Sequence, residues 1–151
     1  MARQAVGMSG FDFTNAIVLV TGAGAVIGQG IAQAFHAAGA RVALGDLRKD
    51  AVERTATGWA ASGSSPAPST CGREKSVQAF FAAAERALGP VTIAVANAGI
   101  YPNCPVVDMT VEEWDGVIET NMLGRRRAVE HVTQPVGVSA RMPMRDERPR
   151  D

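Results

Sequence analysis

Apolar and polar positions alternate in blocks along the first two thirds of the chain. Residues 16–20 form a continuous apolar run, which is typical of a strand buried on both faces of a parallel sheet. Residues 28–38 then repeat apolar side chains at helical spacing and stop at Gly39, which favours a helix. Strands are predicted in the same way at 41–44 and 91–96, and helices at 48–61 and 76–88.

A fourth helix is predicted to open at a capping box. Thr110 and Glu113 have the spacing in which a side-chain oxygen and a carboxylate exchange hydrogen bonds with the first backbone N–H groups. The residues expected to face inward from this helix are Trp114, Val117, Ile118 and Met122.

The third strand of this alternation is weak. Residues 62–72 are rich in serine, glycine and proline, and Pro66 and Pro68 each lack a backbone donor. A strand at this place could only be an edge strand. The whole pattern predicts an α/β fold with a doubly wound parallel sheet. It is expected to be incomplete, with about four strands and four helices and with the later strands missing.

The two ends of the chain differ from its middle. We expect residues 1–10 to be a flexible extension, 11–124 to be the folded domain, and 125–151 to be an irregular, disordered tail. The tail begins with three consecutive arginines, Arg125 to Arg127, and has few apolar residues to bury. Its abrupt change in composition suggests the hypothesis that a frameshift or premature stop produced it.

Composition narrows the class of protein. The formal net charge is zero, and 46% of residues are hydrophobic against 20% charged. Such a chain carries no global field for nucleic acid or an anionic membrane, so neither is expected as a partner. Two unpaired cysteines fit a reduced, cytoplasmic setting, and no apolar run is long enough for a membrane span. The spacing of His36 and His131 does not suggest a metal site.

The strongest chemical signal is the glycine-rich turn at residues 21–30. It follows a predicted strand and opens a predicted helix, which is the context in which such a turn holds a pyrophosphate against a helix N-terminus. Gly22 allows the tight exit from the strand, and Gly28 lets the backbone approach the anion closely. This part of the sequence therefore predicts a dinucleotide site.

Asp46 ends the second predicted strand, close to the ~20 residues past the turn where an acid usually binds the ribose hydroxyls. A carboxylate there repels a 2′-phosphate, so NAD is favoured over NADP as the cofactor. Arg48 and Lys49 nearby could instead meet a phosphate. The alternative for Asp46 is a solvated turn residue.

Three motifs in order resemble the classical short-chain dehydrogenase/reductase superfamily. They are the Thr21–Gly28 turn, Asn97-Ala98-Gly99 after a strand, and Asn121 in a helix. The resemblance covers residues 11 to 123 and implies a Rossmann-type fold, a nicotinamide cofactor, a small alcohol or carbonyl substrate and a homo-oligomer that an incomplete fold would compromise.

The resemblance also implies roles for individual residues. Asn121 would support a proton-relay water beside the active site. The implied cofactor-binding residues are Gly22, Ala23, Gly24, Ile27 and Gly28 in the turn, Asp46 and Leu47 at the adenosine ribose, and Asn97, Ala98 and Gly99 at the fourth strand.

Four departures from that pattern matter. The aspartate that the family usually has after its third strand is replaced around Cys71 and Gly72, and the aspartate that often precedes its fourth strand appears as Thr92. Val26 stands where the family usually has the middle glycine of the turn. The catalytic serine and the Tyr-x-x-x-Lys pair are absent, because the single tyrosine, Tyr101, has Pro105 four residues on, and no lysine follows Lys75. Ser139 lies too near Asn121 to replace that serine. We therefore expect an oxidoreductase of this type that is inactive as this chain alone, or alternatively a non-catalytic remnant that binds nucleotide.

Overall fold

A computed structural model describes residues 11–59, 64–68 and 74–133. Its centre is a four-stranded parallel sheet in the order β3-β2-β1-β4. The strands are β1 (Ile17–Thr21), β2 (Arg41–Asp46), β3 (Ser64–Pro68) and β4 (Ile93–Val95). The order reverses direction between β1 and β4, which creates the crevice where ligands bind in open parallel sheets.

Five α-helical segments surround the sheet. They are α1 (Val26–Ala37), α2 (Lys49–Thr55), α3 (Glu74–Leu88), α4 (Val111–Ile118) and α5 (Gly124–Thr133), the last two joined by a π-helical turn, Glu119–Leu123. The predicted alternation and the doubly wound parallel sheet are confirmed. Beyond the four predicted helices, the chain continues through the π-helical turn into α5.

Alternate residues of the central strands supply two hydrophobic cores, one on each face of the sheet. Val18, Val20 and Leu44 pack with α1 and α2 through Ala32 and Val52. The opposite core joins the sheet to α3 and α5, and its members are Ile17, Leu19, Ala43, Val77, Phe80, Phe81, Ala84, Leu88 and Ala128. Since both faces of β1 are covered, its run of apolar residues is unbroken, as the sequence predicted.

Within the described residues, β3 pairs with β2 alone and lies at the edge of the sheet. The prediction of an edge strand in the proline-rich segment is therefore confirmed, since an edge strand tolerates residues that lack a backbone donor. β4 forms the other edge of the sheet in the described part of the chain, and its residues are only half-buried.

Two helix predictions were wrong in extent or orientation. α2 ends at Thr55 instead of residue 61, because a turn follows in which Gly58 takes a left-handed φ of 84°. The expected inward face of the fourth helix is wrong in part: Val117 and Ile118 are half-buried, but Trp114 is 50% exposed and Met122, in the π-helical turn, is 62% exposed. Trp114 and Met122 therefore lie largely in solvent in the described part of the chain.

The predicted tail boundary at residue 125 was also wrong. α5 runs from Gly124 to Thr133, with Ala128 buried against α3 and Val132 packed beside it. Ala128 and Val132 lie four residues apart on one side of α5, an apolar pattern too short to stand out in an arginine-rich sequence. The rest of the predicted tail, 134–151, and the predicted extension, 1–10, lie outside the described residues. None of the described helices is long and apolar enough to cross a membrane.

Candidate functional site

The candidate site lies at the carboxyl ends of β1, β2 and β4. The three strands end at Thr21, Asp46 and Val95, and since they are parallel these ends share one edge of the sheet. The glycine-rich turn leaves β1 at this edge, Asp46 projects from β2, and the Asn97-Ala98-Gly99 segment follows β4. The residues that the sequence singled out in three separate places are thus brought together.

The N-terminus of α1 begins without a side-chain cap. Its N-cap residue, Ala25, has no side chain that can accept from the first-turn N–H groups, and the first turn holds no acidic residue. α4 shows the contrast, because Thr110 and Glu113 form the complete predicted capping box. The first turn of α1 therefore keeps N–H groups and a partial positive charge that can meet an anion.

The turn requires glycine at two positions. Gly22 has a left-handed φ of 66°, which side chains other than glycine's adopt only with strain. Gly28 is buried where α1 crosses the turn: a Cβ atom there would overlap the carbonyl oxygen of Gly22 and lie 2.6 Å from Asn97 Nδ2. The backbone at Gly28 thus lies close to the turn, as the sequence analysis predicted for a glycine that lets the backbone approach an anion.

Asp46 holds the glycine-rich turn directly. Its Oδ2 atom accepts a hydrogen bond from the Gly24 N–H at 3.0 Å, and its Oδ1 atom accepts one from the Arg48 N–H at 3.1 Å. The side chain is only half-buried, so the oxygens keep a free side toward solvent. A carboxylate oxygen can accept more than one hydrogen bond, which leaves capacity for hydroxyl donors of a ligand.

Asn97 and Ala98 link the end of β4 to the turn. Asn97 Nδ2 donates to the carbonyl oxygens of Thr21 and Gly22, at 3.1 and 3.3 Å. The Ala98 N–H donates to Thr21 Oγ1 at 3.1 Å. Asn97 and Ala98 therefore fix the shape of the turn, while Gly99 beside them is exposed.

Asn121 lies in the π-helical turn, and its side-chain amide pairs with the loop after β4. Its Oδ1 atom accepts from the Ile100 N–H at 2.8 Å, and its Nδ2 atom donates to the Ile100 carbonyl at 2.9 Å. The amide therefore pairs with one backbone unit in both directions. One N–H and one acceptor site of the amide are not used by this pairing.

Two threonines with a part in the site were not predicted. Thr21 Oγ1 donates to the Val95 carbonyl as well as accepting from Ala98. Thr55, buried in α2, donates to the carbonyl of Ala23 at 3.0 Å and so supports the turn from below. The available signal for Thr55 was its spacing from Ala51 and Val52, which places a hydroxyl on the buried face of α2.

The remaining predicted residues line the outside of this arrangement. Ile27 is 68% and Leu47 is 65% exposed, one beside the start of α1 and the other just after Asp46. Ala23 is buried, and its N–H donates to the Gly45 carbonyl at 3.0 Å. The site thus offers exposed apolar side chains, a carboxylate and an uncapped helix N-terminus. These three features fit a ligand with a flat apolar base, a sugar and a diphosphate.

Comparison with known proteins gives a consistent picture. The family described as short chain dehydrogenase matches residues 16–139, which extends beyond the family-like part predicted from the sequence. An uncharacterized oxidoreductase of Staphylococcus aureus is 32% identical over 111 residues, covering 74% of this chain and 48% of the relative. Nodulation protein G of a Rhizobium species is 36% identical over 128 residues, covering 83% of this chain and 51% of the relative.

Solved structures agree with these relatives. A short-chain dehydrogenase/reductase of Brucella melitensis, described as a glucose/ribitol dehydrogenase, superposes with a TM-score of 0.75 at 28% identity, covering 81% of this chain and 54% of that chain. A short-chain type dehydrogenase/reductase of Mycobacterium marinum gives a TM-score of 0.73 at 28% identity, with 81% and 49% covered. The chain thus spans about half the length of the relatives it matches.

Proposed function

The chain belongs to the short-chain dehydrogenase family, and from that premise we propose that it forms the NAD-binding half of an oxidoreductase acting on a small alcohol or carbonyl compound. The cofactor supplies or accepts the hydride when bound. The residues of this chain bind and orient it. The cytoplasm, where NAD is plentiful, is the proposed location.

One contact carries this proposal: the Asp46 carboxylate bridges the glycine-rich turn and the end of β2. It accepts from the N–H of Gly24 and keeps acceptor capacity toward the solvent-exposed mouth of the site. The uncapped N-terminus of α1 lies at the other side of the same turn. A diphosphate at the helix and a ribose at the carboxylate would satisfy both groups together.

The choice of NAD over NADP rests on the charge of Asp46. A 2′-phosphate on the adenosine ribose would meet this carboxylate at close range and be repelled. Arg48 and Lys49 follow it and are exposed, but Lys49 lies 3.5 Å from Glu53, which offsets its charge. The carboxylate of Asp46 therefore favours a free 2′-hydroxyl on the ribose.

The proton-transfer group of the reaction is not among the described residues of this site. Tyr101 is 91% exposed on the loop after β4 and has no lysine near it in sequence. An amide such as that of Asn121 does not titrate near neutral pH, so it cannot replace a general acid worth about 10²–10⁴ in rate. This observation favours the second candidate for these 151 residues by themselves, a domain that binds nucleotide without turnover.

Calorimetric titration of the 151-residue chain with NAD and, separately, NADP tests the proposal. NAD is expected to bind more tightly than NADP, and neither should bind measurably to a Gly28→Ala variant. An NADH-oxidation assay with a panel of carbonyl compounds separates the two candidates. Turnover would contradict the second candidate, and the absence of NAD binding at saturating concentration would contradict both.

A further inference from the structure

Val26 adopts a backbone conformation that its side chain disfavours. Its φ is 36°, and it is the one non-glycine residue with a positive φ in the described part of the chain. For a β-branched residue the left-handed region is a steric outlier, because the branched Cβ crowds the adjacent backbone. The chain holds this conformation at the first residue of α1, inside the glycine-rich turn.

The side chain of Val26 gains nothing from burial that would offset this strain. It is 83% exposed, so its methyl groups contribute little to either hydrophobic core. The turn around it is held instead by Gly22, Gly28 and Asp46, whose contacts fix the path of the backbone. The surrounding structure therefore imposes the conformation at position 26.

Val26 also lies where an anion would approach the helix. The uncapped first turn of α1 begins at this residue, and its isopropyl group projects into solvent beside those N–H groups. A diphosphate needs close approach to backbone at such a turn, and any Cβ substituent there keeps its oxygens farther away. The bulk of the Val26 side chain and the strain in its backbone thus both fall where the diphosphate is proposed to bind.

We infer that Val26 limits the affinity of this chain for its dinucleotide. A replacement that lacks a Cβ branch and favours this backbone conformation would relieve the strain in the turn. It would also let the diphosphate approach the backbone more closely. This inference rests on the proposed function, but its first half is independent of any ligand.

The experiment compares three replacements of Val26 with one matched control. Val26→Gly removes the strain and the side chain, Val26→Asn eases the strain while keeping a side chain, and Val26→Ala removes the branch while keeping a Cβ at positive φ. The control, Val111→Gly, changes the first residue of α4, which is 70% exposed and has no positive φ. Each 151-residue variant is measured for Tm without ligand and for NAD affinity by calorimetry.

Val26→Gly should raise Tm by about 4 °C, whereas Val111→Gly should lower it because glycine disfavours a helix. NAD affinity should rise on the order of tenfold for Val26→Gly and less for Val26→Asn. Val26→Ala should also gain affinity, and its Tm should rise less than that of Val26→Gly because a Cβ remains at positive φ.

A Val26→Gly variant that loses stability as Val111→Gly does would overturn the inference, and so would equal NAD affinity in the wild type and Val26→Gly. In that second case the proposed function survives, because both proteins bind. If none of the proteins binds NAD, the proposed function fails and the affinity limit fails with it, whatever the Tm values show.

Discussion

The carboxylate of Asp46 accepts a hydrogen bond from the backbone N–H of Gly24, 22 residues earlier in the chain, at 3.0 Å. The same side chain accepts from the N–H of Arg48 at 3.1 Å. One acidic side chain therefore ties the glycine-rich turn to the end of β2. Because both its oxygens are in use, the position of the carboxylate is fixed before a ligand arrives.

Asp46→Ala is expected to lower NAD affinity by about tenfold or more, because a hydrogen bond to a charged group contributes roughly 1.5–3 kcal/mol. NADP affinity should fall less, since the repulsion of the 2′-phosphate disappears with the carboxylate. Calorimetric titration with both cofactors measures the ratio of the two affinities.

Asp50→Ala is the matched control for that variant. Asp50 is exposed on α2 and pairs with Arg54. The side-chain hydrogen bond from Arg54 lowers the pKa of the Asp50 carboxyl, so this control also removes a full negative charge at neutral pH. If Asp50→Ala changed the ratio of affinities as much as Asp46→Ala, the specific role of Asp46 would be refuted.

Gly28→Ala should lower the free energy of unfolding by about 1–3 kcal/mol, because its Cβ would overlap the backbone of the turn and force it to shift. The atoms it would meet are the Gly22 carbonyl oxygen and Asn97 Nδ2. Gly30→Ala is the control two residues on in the same helix, where a Cβ meets nothing within 4 Å. That change should raise the free energy of unfolding by about 0.5–1 kcal/mol. Urea denaturation measures the free energy of unfolding of both variants. A change of the same sign in both would show that the turn has room for a Cβ at Gly28.

Thr55→Val tests the support beneath the turn. The Thr55 hydroxyl is buried and reaches the Ala23 carbonyl, so its loss should cost about 1 kcal/mol of the free energy of unfolding. Thr57→Val is the comparison, since the Thr57 hydroxyl bonds only the Glu53 carbonyl four residues back and is exposed. Comparable urea midpoints for the two variants would mean that the contact with Ala23 contributes little.

Asn121→Ala should release the loop after β4, because the side-chain amide holds both backbone groups of Ile100. The Ile100 amide proton is expected to exchange with solvent roughly tenfold faster, which corresponds to about 1.4 kcal/mol of lost protection. Met122→Ala, at an exposed neighbouring position, should leave that exchange rate unchanged. Hydrogen exchange followed by NMR reports both, and unaltered protection in Asn121→Ala would contradict the role of the pairing.

Much of this fold could be predicted from local sequence because its signals are local. The apolar run of β1 is unbroken because both faces of the strand are covered. The capping box at Thr110 needs only two residues that are three positions apart. The wrong predictions came from longer-range effects. Trp114 and Met122 have helical apolar spacing, but whether they are buried depends on what packs over α4, which spacing cannot show.

The sequence by itself determined the succession of strands and helices along the chain as far as α4, the glycine-rich turn, and the acid at the end of β2. Each of these depends on residues close together in the chain. Only the tertiary structure decided that Asp46 holds Gly24, that Asn121 is occupied by Ile100, and that Val26 sits in a left-handed conformation. Those relationships depend on distances between segments 20 or more residues apart and on a backbone path fixed by packing. Residue type and spacing alone do not encode either one.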